Sequence, residues 1–115
     1  MNTAGLLDLL HASLAETYPT YRAVSARPGR VTCVVEADSG AYDQAVCAPT
    51  GLMVTANIRV LAAGDSEQAV KDLPHHIDPV ATLIRQAGFA PTGWRSGESE
   101  SVPEITITAE APGVG

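Results

Sequence analysis

Two cysteines and three histidines, Cys33, Cys47, His11, His75 and His76, are the side chains of this chain best suited to chemistry. Thiolates and imidazoles are the usual ligands of zinc, and a thiol beside an imidazole is the core of many nucleophilic sites. The spacing here supports neither use well. His75 and His76 are adjacent, so on a regular element their rings point apart, and no CxxC, HxH or HExxH pattern accompanies them. A metal site has to borrow Cys47 or Asp78 from elsewhere. The simpler reading is a polar helix break, Pro74-His75-His76-Ile77-Asp78-Pro79. His11, between Leu10 and Leu14, reads as packing at the edge of a helix face.

Cys33 lies in Val31-Thr32-Cys33-Val34-Val35, where alternation places it with Val31 and Val35 on a buried face. It reads as a small buried hydrophobe rather than a reactive thiol. Two cysteines are too few for the framework of a small secreted domain, and an intracellular origin argues against a Cys33–Cys47 bridge. No G-x-S-x-G elbow, Walker loop or dinucleotide fingerprint is present, and Asp38, Asp43 and Asp65 read as loop residues. The expectation is a protein that is not an enzyme, holds no cofactor and acts by contact. A small metal-dependent enzyme built on His75, His76 and Cys47 is the minor alternative.

Composition narrows the class further. The chain has 115 residues, a length that suits one domain, and 45% of them are hydrophobic. Aromatics make up only 4%, so the core must be aliphatic. Thirteen acidic residues against seven basic ones give a net charge of −6, and the basic residues are scattered. Tight binding to nucleic acid needs clustered Lys and Arg, so DNA is not expected as a specific partner. No apolar run approaches the ~20 residues that span a bilayer, and the Leu-rich start lacks the basic flank of a secretory signal. The expectation is a soluble, intracellular product.

The elements that must position any site follow from periodicity. Thr3 to about Glu16 reads as an amphipathic helix with Leu6, Leu9, Leu10 and Leu14 on its face and Leu7 on the flank, capped by Asn2 or Thr3 and stopped by Pro19. Val31–Glu36 reads as a strand after the Pro28-Gly29 turn. Residues 37–51 show no period and read as a long protruding loop. Leu52–Ala62 alternates cleanly and is the clearest strand. A helix capped by Asp65 or Ser66 then runs to Leu73, and Asp78-Pro79 restarts helix toward Gly88. Trp94-Arg95 suggests a short strand, 96–103 an acidic turn-like loop, and Glu104–Glu110 a last strand, with 111–115 frayed. The fold class is therefore α+β: a single mostly antiparallel sheet packed by an N-terminal helix and a central helix or kinked helix pair. Its second face is half-polar and its edges need protection, which oligomerisation can supply.

In order and texture nearly the whole chain resembles the tail terminator proteins of long-tailed phages, particularly those of actinobacterial hosts. The resemblance rests on the N-terminal helix, the connector Arg27-Pro28-Gly29-Arg30, the strand Val31–Glu36 and the loop with Tyr42 and Pro49. It continues through the strand Met53–Ala62, the helix ending Arg85-Gln86-Ala87-Gly88-Phe89 and the strand Glu104–Thr108. Pro74 and Pro79 depart from it, since a more continuous helix is expected in that family. The resemblance implies a virion protein, assembled in the host cytoplasm, that forms a ring, commonly a homohexamer, on the head-proximal end of the tail. The ring would cap the tail tube protein, end its polymerisation and present a surface to the head–tail connector or head completion protein. DNA would pass through its lumen without specific binding, and no membrane would be involved. Another head–tail joining or tail-completion protein is the alternative within this class. Candidate interface residues are Tyr42, Asp43 and Gln44 in the first loop, Glu98 and Glu100 in the second, and Arg59, exposed by alternation and able to meet an acidic neighbour.

Overall fold

The computed structural model describes residues 2–23, 30–42, 52–64, 66–99 and 102–113. Helix α1 spans Thr3–Ala15, and the side chain of Asn2 caps it by accepting from Gly5 N–H at 2.8 Å. The Leu14 carbonyl accepts from both Thr17 and Tyr18 where the helix ends before Pro19. Its buried face is Leu6, Leu7, Leu10 and Leu14, whereas Leu9 is 45% exposed. The expected stripe was thus rotated by one position. Helical spacing admits either Leu7 or Leu9 beside Leu10, and docking on the sheet chose Leu7.

Strands β1 (Thr20–Tyr21), β2 (Thr32–Tyr42), β3 (Leu52–Leu61), β4 (Ala90–Ser99) and β5 (Val102–Gly113) form one sheet in the order β1-β2-β3-β5-β4. Only the short β1–β2 pair is parallel; all others are antiparallel. The fold is α+β, as the periodicities imply.

Several strands are longer than their local pattern suggested. Ala37–Tyr42 belongs to β2, not to a loop, and pairs with β3 across a bulge between Ala37 and Ser39. The bulge breaks the alternation, which is why no period is visible there. Ser96–Ser99 and Val102–Pro103 are likewise paired strand rather than an acidic loop. Their Gly, Ser and Glu content is poor in strand formers, and the pairing is imposed by β5. Trp94-Arg95 lies within a ten-residue strand. Ala111–Gly113 does not fray: it pairs with β3, and Ala111 is buried.

Helix α2 (Glu67–Asp72), a 3-10 turn (Leu73–His76) and α3 (Ile77–Gln86) follow one another without a gap. Ser66 caps α2 through Ala69 N–H at 3.2 Å. Asp65 lies outside the described residues. Gln68 donates to Asp72 one turn on, at 2.8 Å. Asp78 is not an N-cap; it sits with Pro79 in the first turn of α3, where the position of the N-cap belongs to His76. Pro79 is tolerated there because first-turn amides have no intrahelical partner. Gly88, at φ +91°, ends the helix in the left-handed conformation, as Phe89 N–H returns to the Ile84 carbonyl at 3.2 Å.

The helices cover one face of the sheet. Leu10, Leu14, Val80 and Ile84 pack on Cys33, Val35, Val54, Ala56, Ile58, Val60, Ile105 and Ile107, all essentially inaccessible. Ser13 ties α1 to α3 by donating to the Leu83 carbonyl at 2.7 Å. On the other face Val34, Leu61 and Val102 form a second, smaller buried cluster.

Candidate functional site

The face of the sheet that no described helix covers carries a ladder of polar side chains. Strand alternation places Glu36, Arg59 and Glu104 on it, one from each of β2, β3 and β5. Arg59 Nη1 meets Glu36 Oε1 at 2.7 Å and Arg59 Nε meets Glu104 Oε2 at 2.8 Å. Burial works against the Arg59 charge, but the hydrogen bonds and charges of Glu36 and Glu104 outweigh it and raise its pKa further. One rung along, Asn57 donates to Asp38 at 3.1 Å and accepts from Thr108 at 3.2 Å. Three strands are thus cross-linked twice by side chains on an open face.

Arg59 was expected to stand exposed; its side chain is in fact only 20% accessible. Its two partners, Glu36 and Glu104, are acidic and belong to the same chain. Asp38, read as a loop residue, belongs to this ladder because the bulge in β2 turns it toward Asn57. Glu98 is exposed on β4, opposite Pro103. Tyr42 ends β2, opposite Leu52. Asp43, Gln44 and Glu100 lie outside the described residues. The candidates therefore do not converge: Arg59 is central, while Tyr42 and Glu98 stand at opposite ends of the sheet.

His11, His76 and Cys33 are used for packing and internal hydrogen bonds. His76 Nδ1 lies 2.9 Å from the Tyr18 hydroxyl, with the rings edge to face at 5.5 Å. His11 Nε2 donates to the Thr20 carbonyl at 3.0 Å, and His75 is exposed. Cys33 is a free, buried thiol, and burial pushes its pKa up to about 12. A thiol held protonated is a poor nucleophile and a poor ligand. Burial first, and then the nearby Cys33, raise the Tyr18 phenol as well. Cys47 lies outside the described residues. Among the described residues no group of three His, Cys, Asp or Glu side chains is arranged to hold a metal, and no helix is long and apolar enough to cross a membrane.

The sheet edges expected to need protection are those of β2 and β4. Strand β1 covers only Cys33 and Val34 of β2, so among the described residues the outer side of Glu36–Tyr42 has no strand beside it. Strand β4 is the other edge, exposed along most of its length, and Trp94 on it is 57% accessible. The lone tryptophan of an aromatic-poor chain was the available signal. No protein-family model matches the chain, and no curated protein matches it.

Proposed function

We propose that this chain is a structural ring-forming protein of the phage tail terminator kind, capping the tail tube and offering a surface for head–tail joining. The observation that carries this reading is a sheet that, among the described residues, has two long, open edges at opposite sides and helices on one face only. A head-to-tail contact between unlike edges leaves no free lateral surface once a ring closes. The two faces of such a ring differ, which a cap between tube and connector requires. A net charge of −6 suits a lumen through which DNA passes without adhering. The resemblance in element order points the same way, and it supplies the expected partners: the tail tube protein and a head–tail connector.

The test is tube growth. Purified tube protein polymerised with this chain should give shorter tubes, each with an added ring at one end in electron micrographs. Tubes that lengthen unimpeded and uncapped overturn the reading. Binding to the connector with none to the tube moves the chain to the head-completion class.

A further inference from the structure

We infer that copies of this chain join by continuing the sheet, the outer edge of β4 in one copy pairing antiparallel with the Glu36–Tyr42 edge of β2 in the next. The inference rests on the ring reading and names the surfaces that build it. Strand sense permits the contact. β2 is antiparallel to β3, β3 to β5 and β5 to β4, so β4 runs opposite to β2. Placed beside the next copy's β2 with the helices on the same side, β4 extends an antiparallel ladder. The usual protections of an edge, a proline and a bulge, are confined in β4 to Pro91–Gly93. Gly93 to Glu98 is regular and exposed.

The side chains of the two edges match on both faces. On the helix side, Trp94 stands level with Ile107 and projects from the edge with more than half its surface in water. The β2 edge offers on that same side Ala37 and Gly40, opposite Ala56 and Val54, both small and both exposed. An indole laid over such a shelf meets no bulky group. On the open side, Arg95 is level with Thr106 on one edge, while Glu36 and Asp38 stand on the other. A cation thus faces two carboxylates, and a second copy is the occupant that carries both halves. A symmetric β4–β4 contact would instead bring Arg95 close to its own copy and leave the β2 edge open.

Trp94 is the only tryptophan, so the contact can be watched directly. Its emission should move to the blue and become shielded from acrylamide as the full chain is concentrated. Arg95→Asp should weaken self-association roughly three- to tenfold, and the charge swap Arg95→Asp with Asp38→Arg should restore it. Trp94→Ala should weaken it more, with unchanged circular dichroism and unfolding midpoint, because the side chain is largely exposed. In a Cys47→Ser background, Gly93→Cys protein mixed with Ser39→Cys protein should cross-link between unlike copies on oxidation. A Cβ at Gly93 meets nothing within 4 Å, so the substitution keeps the fold. Cross-linking of Gly93→Cys to itself, or rings in which Trp94 stays quenchable, overturns the inference and leaves the capping function standing. The unlike cross-link in a protein that fails to cap tubes does the reverse. A chain that stays monomeric at millimolar concentration overturns the inference as well.

Discussion

Arg59 and Glu104 are 45 residues apart in sequence and joined at 2.8 Å, on adjacent strands of the open face. Glu104 is the more secluded of the two carboxylates that hold Arg59: its side chain is 12% accessible against 39% for Glu36. The two pairs therefore differ in energetic weight. Removing Arg59 leaves Glu104 charged and poorly hydrated, whereas Glu36 turns to water.

Arg59→Ala should therefore cost about 1–3 kcal/mol of unfolding free energy, measured by urea denaturation. Glu36→Gln should cost less than about 1 kcal/mol, since that pair is screened by solvent. Equal effects for the two would show that Glu104 is not the dominant partner.

Cys33 makes stability depend on pH in the alkaline range. The folded thiol titrates at about 12 and its unperturbed counterpart at 9.0, so the folded state keeps a proton that the unfolded state loses. The sign is then set: the stabilisation is complete below pH 9 and is lost as pH rises toward 12. Thermal melts should fall over that window, and Cys33→Ala should flatten the slope while lowering the neutral-pH midpoint. Tyr18, raised in the same direction, contributes a residual slope that Tyr18→Phe removes.

Leu10 and Leu9 are neighbours in sequence with opposite fates. Leu10→Ala should cost about 2–5 kcal/mol, because the side chain is wholly buried between α1 and the sheet. Leu9→Ala should change stability by no more than about 0.5 kcal/mol. Matched unfolding curves decide it.

His76 and His75 separate packing from metal chemistry. His76→Ala should cost about 0.5–1.5 kcal/mol through loss of the Tyr18 hydrogen bond, and His75→Ala should be neutral. Added zinc should leave the melting midpoint of the native chain unchanged. A zinc-dependent rise abolished by both substitutions would restore the metal reading.

Gly88 is a backbone requirement and not a packing one. Nothing lies within 4 Å of a Cβ built there, yet its φ is +91°. Gly88→Ala should cost about 1 kcal/mol through strain alone, read as a lowered denaturation midpoint.

Much of the fold was legible locally. The Asn2 cap, the Pro19 stop, the alternation of Val54, Ala56, Ile58 and Val60, and Gly88 as a helix terminator are all written in short windows. Such features depend on a few neighbours, and periodicity reports them faithfully. Ala37–Tyr42 and Ser96–Ser99 are strands that no local pattern announces, because their residues have little strand preference of their own. Their partners β3 and β5 hold them extended, and that pairing is non-local. Among the interface candidates, Arg59 lies on the open face as alternation implies, but it is far less exposed than expected. Its two carboxylates come from strands 23 and 45 residues away. Trp94 was seen only as part of a short strand, since nothing in a single window says that β4 is an edge.

Residue order alone thus decided which stretches coil, which alternate, and that the chain is acidic and poor in aromatics. Tertiary contact decided the rest: which leucine of α1 faces inward, where Asp38 points after the bulge, and that Arg59 is clasped from both sides. The physical reason is that side-chain period sets a face but not its neighbour. Neighbours in a sheet are assigned by strand order, a property of the whole chain.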